Sequence, residues 1–140
     1  MSLYKEKQVL FKEGQPAQNS FKIITGEVLC LKFTNGRLVP VILATKGHVI
    51  GENALIHGAK YDYSAIALEN SEIQLTSSEN YWNEFKTSPQ WMPNLINTML
   101  SRLNNTATLL AENRVIHSSI YDEQNFTSAV EIEYKKLLGL

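Results

Sequence analysis

"GENALIHGAKYDYSA", residues 51–65, decides how this chain folds and what it could hold. It opens on Gly51-Glu52, passes a short apolar run and a polar loop, and ends at Tyr63-Ser64-Ala65. A glycine permits close backbone approach, and the first N–H groups of a short helical turn are unpaired and partly positive. Gly51-Glu52-Asn53-Ala54-Leu55 therefore reads as a backbone cradle for a phosphate or carboxylate. Glu52, an acceptor, suits a sugar hydroxyl. The same five residues also read as a turn leading into a packed Leu55, and the pattern alone leaves both readings open.

Upstream of this stretch, Gly14, Gly26, Gly36, Gly47, Gly51 and Gly58 punctuate the chain, mostly at intervals of about ten residues, with short apolar runs between them. Regularly spaced turns and short strands predict an all-β sandwich or barrel. The runs are 9–11, 21–33, 37–44, 64–69 and 71–76. Asn35-Gly36 predicts a type I′ hairpin between two of them. Pro40 has no N–H to give, which places its strand at an edge or on a bulge.

Downstream the pattern becomes helical. Ser78 is positioned to cap a helix through "ENYWNEFK", and Pro93 fits the first turn of a longer helix that runs to about Ala111. Ile96, Met99, Leu103, Thr106, Leu110, Asn113 and His117 recur at alternating intervals of three and four, as in a seam that meets a partner helix. Two readings of the seam stay open: a homodimer contact, or a single helix laid on the β-domain. The last segment, "TSAVEIEYKKLLGL", predicts a separate helix. Ser128 and Glu131 stand at capping-box spacing, Glu131 and Lys135 can pair, Val130, Tyr134, Leu137 and Leu138 share a face, and Gly139 is the stop.

The composition limits the function. With 140 residues the chain suits one domain with a real core, and thirteen basic against fourteen acidic residues leave a formal net charge of -1. No basic field draws in nucleic acid, and too little sequence follows the long helix for a helix-turn-helix, so direct DNA binding is not expected. Cys30 is a lone, buried structural thiol in this reading. Without a signal-like apolar segment or membrane-length run, the expectation is a soluble cytoplasmic protein.

From about residue 5 to residue 115 the chain resembles the cyclic-nucleotide-binding domain, the sensory module of catabolite-activator-type regulators, cyclic-nucleotide-dependent kinases and ion channels. "VLFKEGQPAQNSFKIITGEV" looks like its opening strands, "GHVIGENALI" like its phosphate-binding cassette, "SAIALENSEIQLTSSENYWNEF" like its closing strands and following helix, and "MLSRL" like the start of its long C-helix. The resemblance implies a mainly β fold with C-terminal helices: a β-roll, or jelly-roll double-stranded β-helix, closed by the C-helix. Residues 1–115 would form the roll and C-helix, and 116–140 a C-terminal extension. The ribose contact would fall on Glu52, with Gly51 opening the cassette, the phosphate-facing amides at Asn53 and Ala54, and a facing hydroxyl at Ser64. Thr106 would offer its hydroxyl to adenine.

The chain departs from this pattern at Tyr63. The family carries an arginine there to pair the cyclic phosphate, and no arginine lies between Arg37 and Arg102. Asp62 would repel a phosphate, and Lys60 is the nearest cation in sequence but lacks the bidentate fork. Removing one partner of a buried charge pair costs about 2–5 kcal/mol, a loss of roughly 30- to several-thousand-fold in affinity.

The expected function is accordingly a regulatory module with a degenerate phosphate site, no cofactor, and at most weak cyclic-nucleotide binding. It would act on a protein partner or a covalently attached output domain. Candidate contact surfaces are the pocket mouth, the aromatics Tyr61, Tyr63, Trp82 and Trp91, and the terminal helix, although Trp82 and Trp91 also read as core anchors. The alternative is a sensor for a non-standard cyclic mono- or dinucleotide. A metal-dependent cupin-like enzyme, with His48, Glu52 and His57 as ligands, lacks the H-x-H core of that motif. Ser64 has no His and Asp partners nearby in sequence, so catalysis is not expected.

Overall fold

Asn35 and Gly36 both take left-handed backbone angles, φ 52° and 75°, and Thr34 pairs with Arg37 across them. This is the two-residue hairpin that Asn-Gly favours, because its twist matches that of the flanking strands. The structure, a computed structural model, describes residues 1–56, 58–112 and 121–140, without the side chains of 107, 110, 111 and 123. The strands among them are β1 (Ser2–Tyr4), β2 (Val9–Phe11), β3 (Asn19–Thr25), β4 (Val28–Thr34), β5 (Arg37–Ala44), β6 (Val49–Ile50), β7 (Ser64–Ala67) and β8 (Ser71–Ser77). They form two antiparallel four-stranded sheets, ordered β1-β8-β3-β6 and β2-β7-β4-β5. The expected roll is the observed fold, with helices α1 (Ser78–Lys86), α2 (Trp91–Glu112) and α3 (Ser128–Leu138) following it.

Burial on both faces explains why "VLCLKF" is apolar without alternation. Val28 and Cys30 point into the roll, where they join Phe11, Phe21 and Ile23. Leu29 and Leu31 point outward, under Tyr134 and Leu138 of α3. The outer face is thus a second core, sealed by the terminal helix. The run 21–33 is divided at Gly26, where a Cβ would come within 2.0 Å of Ser71 Oγ. Pro40 meets both halves of its expectation: β5 is an edge strand, and a bulge occurs where Cys30 pairs with Ile42 but Leu31 with Pro40. The bulge turns Val41 and Ile42 alike toward the inner core.

Two caps differ from expectation. Ser77, not Ser78, caps α1: its backbone is still extended (φ -73°, ψ 152°) and its side chain accepts from the Asn80 N–H. A cap requires that non-helical backbone. Ser78 is already helical, and its hydroxyl donates to the Ala17 carbonyl at 2.9 Å. Likewise Thr127, not Ser128, caps α3 through the Val130 N–H. Glu131 then lies one place too far along for a capping box.

Glu131 instead docks the helix. Its buried carboxylate accepts from Arg37 Nε at 3.0 Å, Arg37 Nη2 at 3.0 Å and the Leu38 N–H at 3.1 Å, with Lys135 Nζ at 3.3 Å. Burial alone would raise the pKa of Glu131, but these donors outweigh it and hold the carboxyl below its usual value. Gly139 ends α3 in the left-handed conformation, φ 76°, as expected. The boundary expected at 115/116 lies outside the described residues.

The aromatics divide. Tyr61 and Tyr63 are inner-core residues, 5% and 3% exposed, so they offer no contact surface. Trp91 is 62% exposed and is not a core anchor, while Trp82, midway along α1, is half-buried. Among the described residues no helix is long and apolar enough to cross a membrane.

Candidate functional site: the 51–64 cassette and the groove beneath α2

Gly51 has φ 73°, and a Cβ there would lie 3.1 Å from Phe21 Cδ2 and 3.2 Å from both the Asn19 carbonyl and Tyr61 Cε1. Only glycine suits this corner, where β6 turns into the 3₁₀ turn Glu52–Leu55. The short helical turn read from the sequence is therefore present. Two backbone N–H groups at this corner, those of Gly51 and Ala54, are engaged within the chain.

Tyr63 takes up the first of them. Its hydroxyl accepts the Gly51 N–H at 2.9 Å and donates to Glu52 Oε2 at 2.6 Å. The ring lies in the inner core, 5.5 Å from Phe11, which in turn stacks on Tyr61 at 4.1 Å. Tyr61 is fixed by its hydroxyl, which donates to the Asn19 carbonyl at 2.7 Å. A rigid aromatic stack thus delivers the Tyr63 hydroxyl to the cradle from inside the roll. Burial first, then the Cys30 and Glu52 charges, pushes the Tyr63 pKa well above the tyrosine range. The phenol stays protonated and acts as a donor to Glu52.

The neighbouring groups are engaged as well. The Ala54 N–H donates to the Gly51 carbonyl at 3.1 Å. Asn53 is buried and donates from Nδ2 to Asp62 Oδ2 at 2.7 Å. Ser64 follows the strand alternation: Tyr63 and Ala65 face the inner core and Ile66 the outer, so Ser64 turns away from Tyr63. Its Oγ accepts the Glu13 N–H at 2.9 Å. Gly51, Glu52 and Tyr63 are thus brought together, whereas Ser64 serves the Gly14 turn.

One charged group escaped the sequence reading. Lys32 continues the inward alternation of Val28 and Cys30, is only 13% exposed, and donates to the Asp62 carbonyl at 2.8 Å with Glu13 Oε2 at 3.6 Å. A cation therefore does stand near the cassette, already neutralised by Glu13. Lys60, the nearest in sequence, is exposed. Arg37 is bound to Glu131. The strand period carries this signal: residue 32 shares parity with 28 and 30.

A groove of about 310 Å³ opens between the roll and α2. Ile42, Ile50 and Leu55 wall one side and Ile96, Leu100 and Leu103 the other, with Glu52 and His48 as its polar groups. Of the seam residues, Ile96 is half-buried, while Met99 and Leu103 are 54% and 56% exposed. Thr106 is exposed, and its hydroxyl donates to the Arg102 carbonyl at 3.0 Å. The side chain of Leu110, and Asn113 and His117 entirely, lie outside the described residues. So does His57 of the metal reading; no cluster of three or more His, Cys, Asp or Glu capable of holding a metal occurs among the described residues.

Residues 2–88 match the family described as the cyclic nucleotide-binding domain. No curated protein sequence matches the chain. Among solved structures, the cAMP-bound form of the EAL enzyme Bd1971 superposes with a TM-score of 0.71 at 22% identity, covering 80% of this chain and 30% of that one. The catabolite activator protein of Thermus thermophilus gives a TM-score of 0.62 at 23% identity, covering 81% of this chain and 54% of that one. The c-di-GMP-responsive global regulator CLP of Xanthomonas campestris gives 0.59 at 22% identity, covering 79% and 56%. This chain therefore spans about a third to somewhat over half the length of these neighbours.

Proposed function

For a chain that belongs to the cyclic nucleotide-binding domain family, we propose a non-catalytic regulatory role in which the phosphate site is closed by the protein's own tyrosine. One observation carries this reading: the buried Tyr63 hydroxyl bridges the Gly51 amide and the Glu52 carboxylate. Those are groups a cyclic nucleotide would need, and the tyrosine brings no positive charge in return. Amide dipoles alone leave a buried phosphate short of a charge partner.

The module then works in the cytoplasm through protein contacts, on a partner or on an attached output domain. Its exposed apolar contact surface lies on α2, where Trp91, Leu95, Met99 and Leu103 are all half exposed or more. A second copy of the chain, paired along α2, is the simplest occupant.

A second reading, a sensor of a non-standard cyclic mono- or dinucleotide, draws on the apolar groove under α2 with Glu52 on its wall. Titration calorimetry with cyclic AMP, cyclic GMP and cyclic di-GMP separates the two. The closed site gives no saturable heat below millimolar ligand. Micromolar binding abolished by Glu52→Ala establishes the sensor.

A further inference from the structure

The groove under α2 combines an apolar wall with a single fixed charge, and the sign of that charge is negative. Neither lysine nor arginine contributes to its lining. Glu52 is held from behind: Oε2 accepts from Tyr63, while Oε1 has no hydrogen-bond partner among the described residues. No ion pair there includes Glu52. His48 accepts the Thr45 N–H on Nδ1 at 3.1 Å, which in the neutral ring leaves its proton on Nε2. The groove thus offers a carboxylate at one point, the His48 ring N–H at another and hydrocarbon elsewhere. Its volume of about 310 Å³ is at the lower end of small-molecule pockets.

We propose that this groove binds a small apolar molecule carrying one ammonium group, with the ammonium on Glu52 and the hydrocarbon between Leu55 and the Ile96–Leu103 face of α2. The argument rests on the reading that Tyr63 has closed the anion cradle. The Gly51 N–H is taken and neither Asn53 nor Ala54 lines the groove, so the charge left to a ligand there is the one on Glu52, and the preference of the site inverts from anion to cation. Tyr63 serves both halves of this inversion. It blocks the Gly51 N–H, and it holds Oε2 of Glu52, a residue of the groove wall, while Oε1 keeps no hydrogen-bond partner among the described residues. A charge-assisted hydrogen bond in an apolar setting supplies selectivity, and the walls supply affinity.

Three probes of equal chain length test the proposal: octylammonium, 1-octanol and octanoate, each below its micellar concentration. They are titrated into the full chain, with methyl resonances of Met99, Leu103 and Leu55 and calorimetric heat as readouts. Octylammonium is expected to bind about ten- to a hundredfold more tightly than octanoate, with octanol between them. Glu52→Gln keeps an acceptor for Tyr63 and should bring the amine down to the level of the alcohol. Val49→Lys, at an exposed groove position on β6 and off the α2 contact surface, should weaken the amine about tenfold or more by like-charge repulsion without disturbing the fold.

Equal or tighter binding of octanoate, amine binding indifferent to Glu52→Gln, or silence with all three probes overturns the proposal. Cyclic AMP is run in parallel. If it binds, the closed-cradle reading fails; if it and all three probes are silent, that reading stands and only the inverted groove is lost.

Discussion

Tyr63→Phe removes one oxygen from the centre of the proposed closure and leaves the ring in place. Packing against Phe11 and Tyr61 is kept, so the cost comes from hydrogen bonding rather than from a cavity. Gly51 is buried, and its N–H loses the acceptor at 2.9 Å. An unsatisfied buried donor costs about 1–3 kcal/mol. Glu52 loses a charge-assisted bond at 2.6 Å but is only half-buried, so water recovers much of that. The sum is about 2–3 kcal/mol of lost stability. An unfolding entropy of about 2.1 cal/mol/K per residue makes each kcal/mol worth about 3–4 °C in a chain this size, so Tm should fall by about 7–10 °C. Thermal melts by circular dichroism at pH 7, with urea titrations at an unchanged slope, measure it. A fall of less than about 2 °C would show that the hydroxyl is not holding the cradle, and the argument for closure would go with it.

Three other outcomes follow from the same contacts. Glu131→Ala removes the acceptor for Arg37, Lys135 and the buried Leu38 N–H and should cost about 2–3 kcal/mol, read by denaturant unfolding. Because the Glu131 pKa is lowered from the usual 4.5, its contribution is present above that pH and is lost as pH falls through the folded value. Acid unfolding should therefore be less steep in Glu131→Gln. At the other end, Tyr134 is pushed up to about 12, first by burial and then by neighbouring charges. Its contribution is complete below the ordinary tyrosine value of 10.0 and disappears as pH rises toward about 12, so Tyr134→Phe should flatten that alkaline limb in pH-dependent melts. Light scattering should return twice the 15.8 kDa chain mass, and Leu103→Glu should return the monomer; a wild-type monomer at high concentration rules out pairing along α2.

How much of this was legible from residues alone depends on the range of the interaction. Local signals read well: the Asn35-Gly36 turn, the Pro40 strand edge, the 22-residue α2 with Pro93 in its first turn, and the Gly139 stop all depend on neighbours within a few positions. The caps failed by one residue each, because Ser77-Ser78 and Thr127-Ser128 offer two suitable side chains side by side and only backbone angle chooses between them. β1 was missed because Ser2-Leu3-Tyr4 is too short to show a period and is defined by β8, some seventy residues away.

Within the site, the sequence placed Gly51 and Glu52 in the turn and marked Tyr63 as a departure. It could not show that the tyrosine hydroxyl reaches back over both. Nor could it show that Ser64 faces the other way, or that Lys32 arrives from the neighbouring strand β4. Those facts depend on strand pairing and on how the two sheets close on each other. Tyr61 and Tyr63 were read as contact aromatics because aromatic rings favour interfaces, yet the roll needed their rings for its core.

The central claim is that a guanidinium is what the cassette lacks and a phenol is what fills it. Calorimetry with cyclic AMP on the wild type and on Tyr63→Arg tests this most directly. The account predicts no saturable binding to the wild type below millimolar and a gain of about thirtyfold or more in the arginine variant, as one buried charge partner is restored. Micromolar binding by the wild type, weakened rather than improved by Tyr63→Arg, would contradict it.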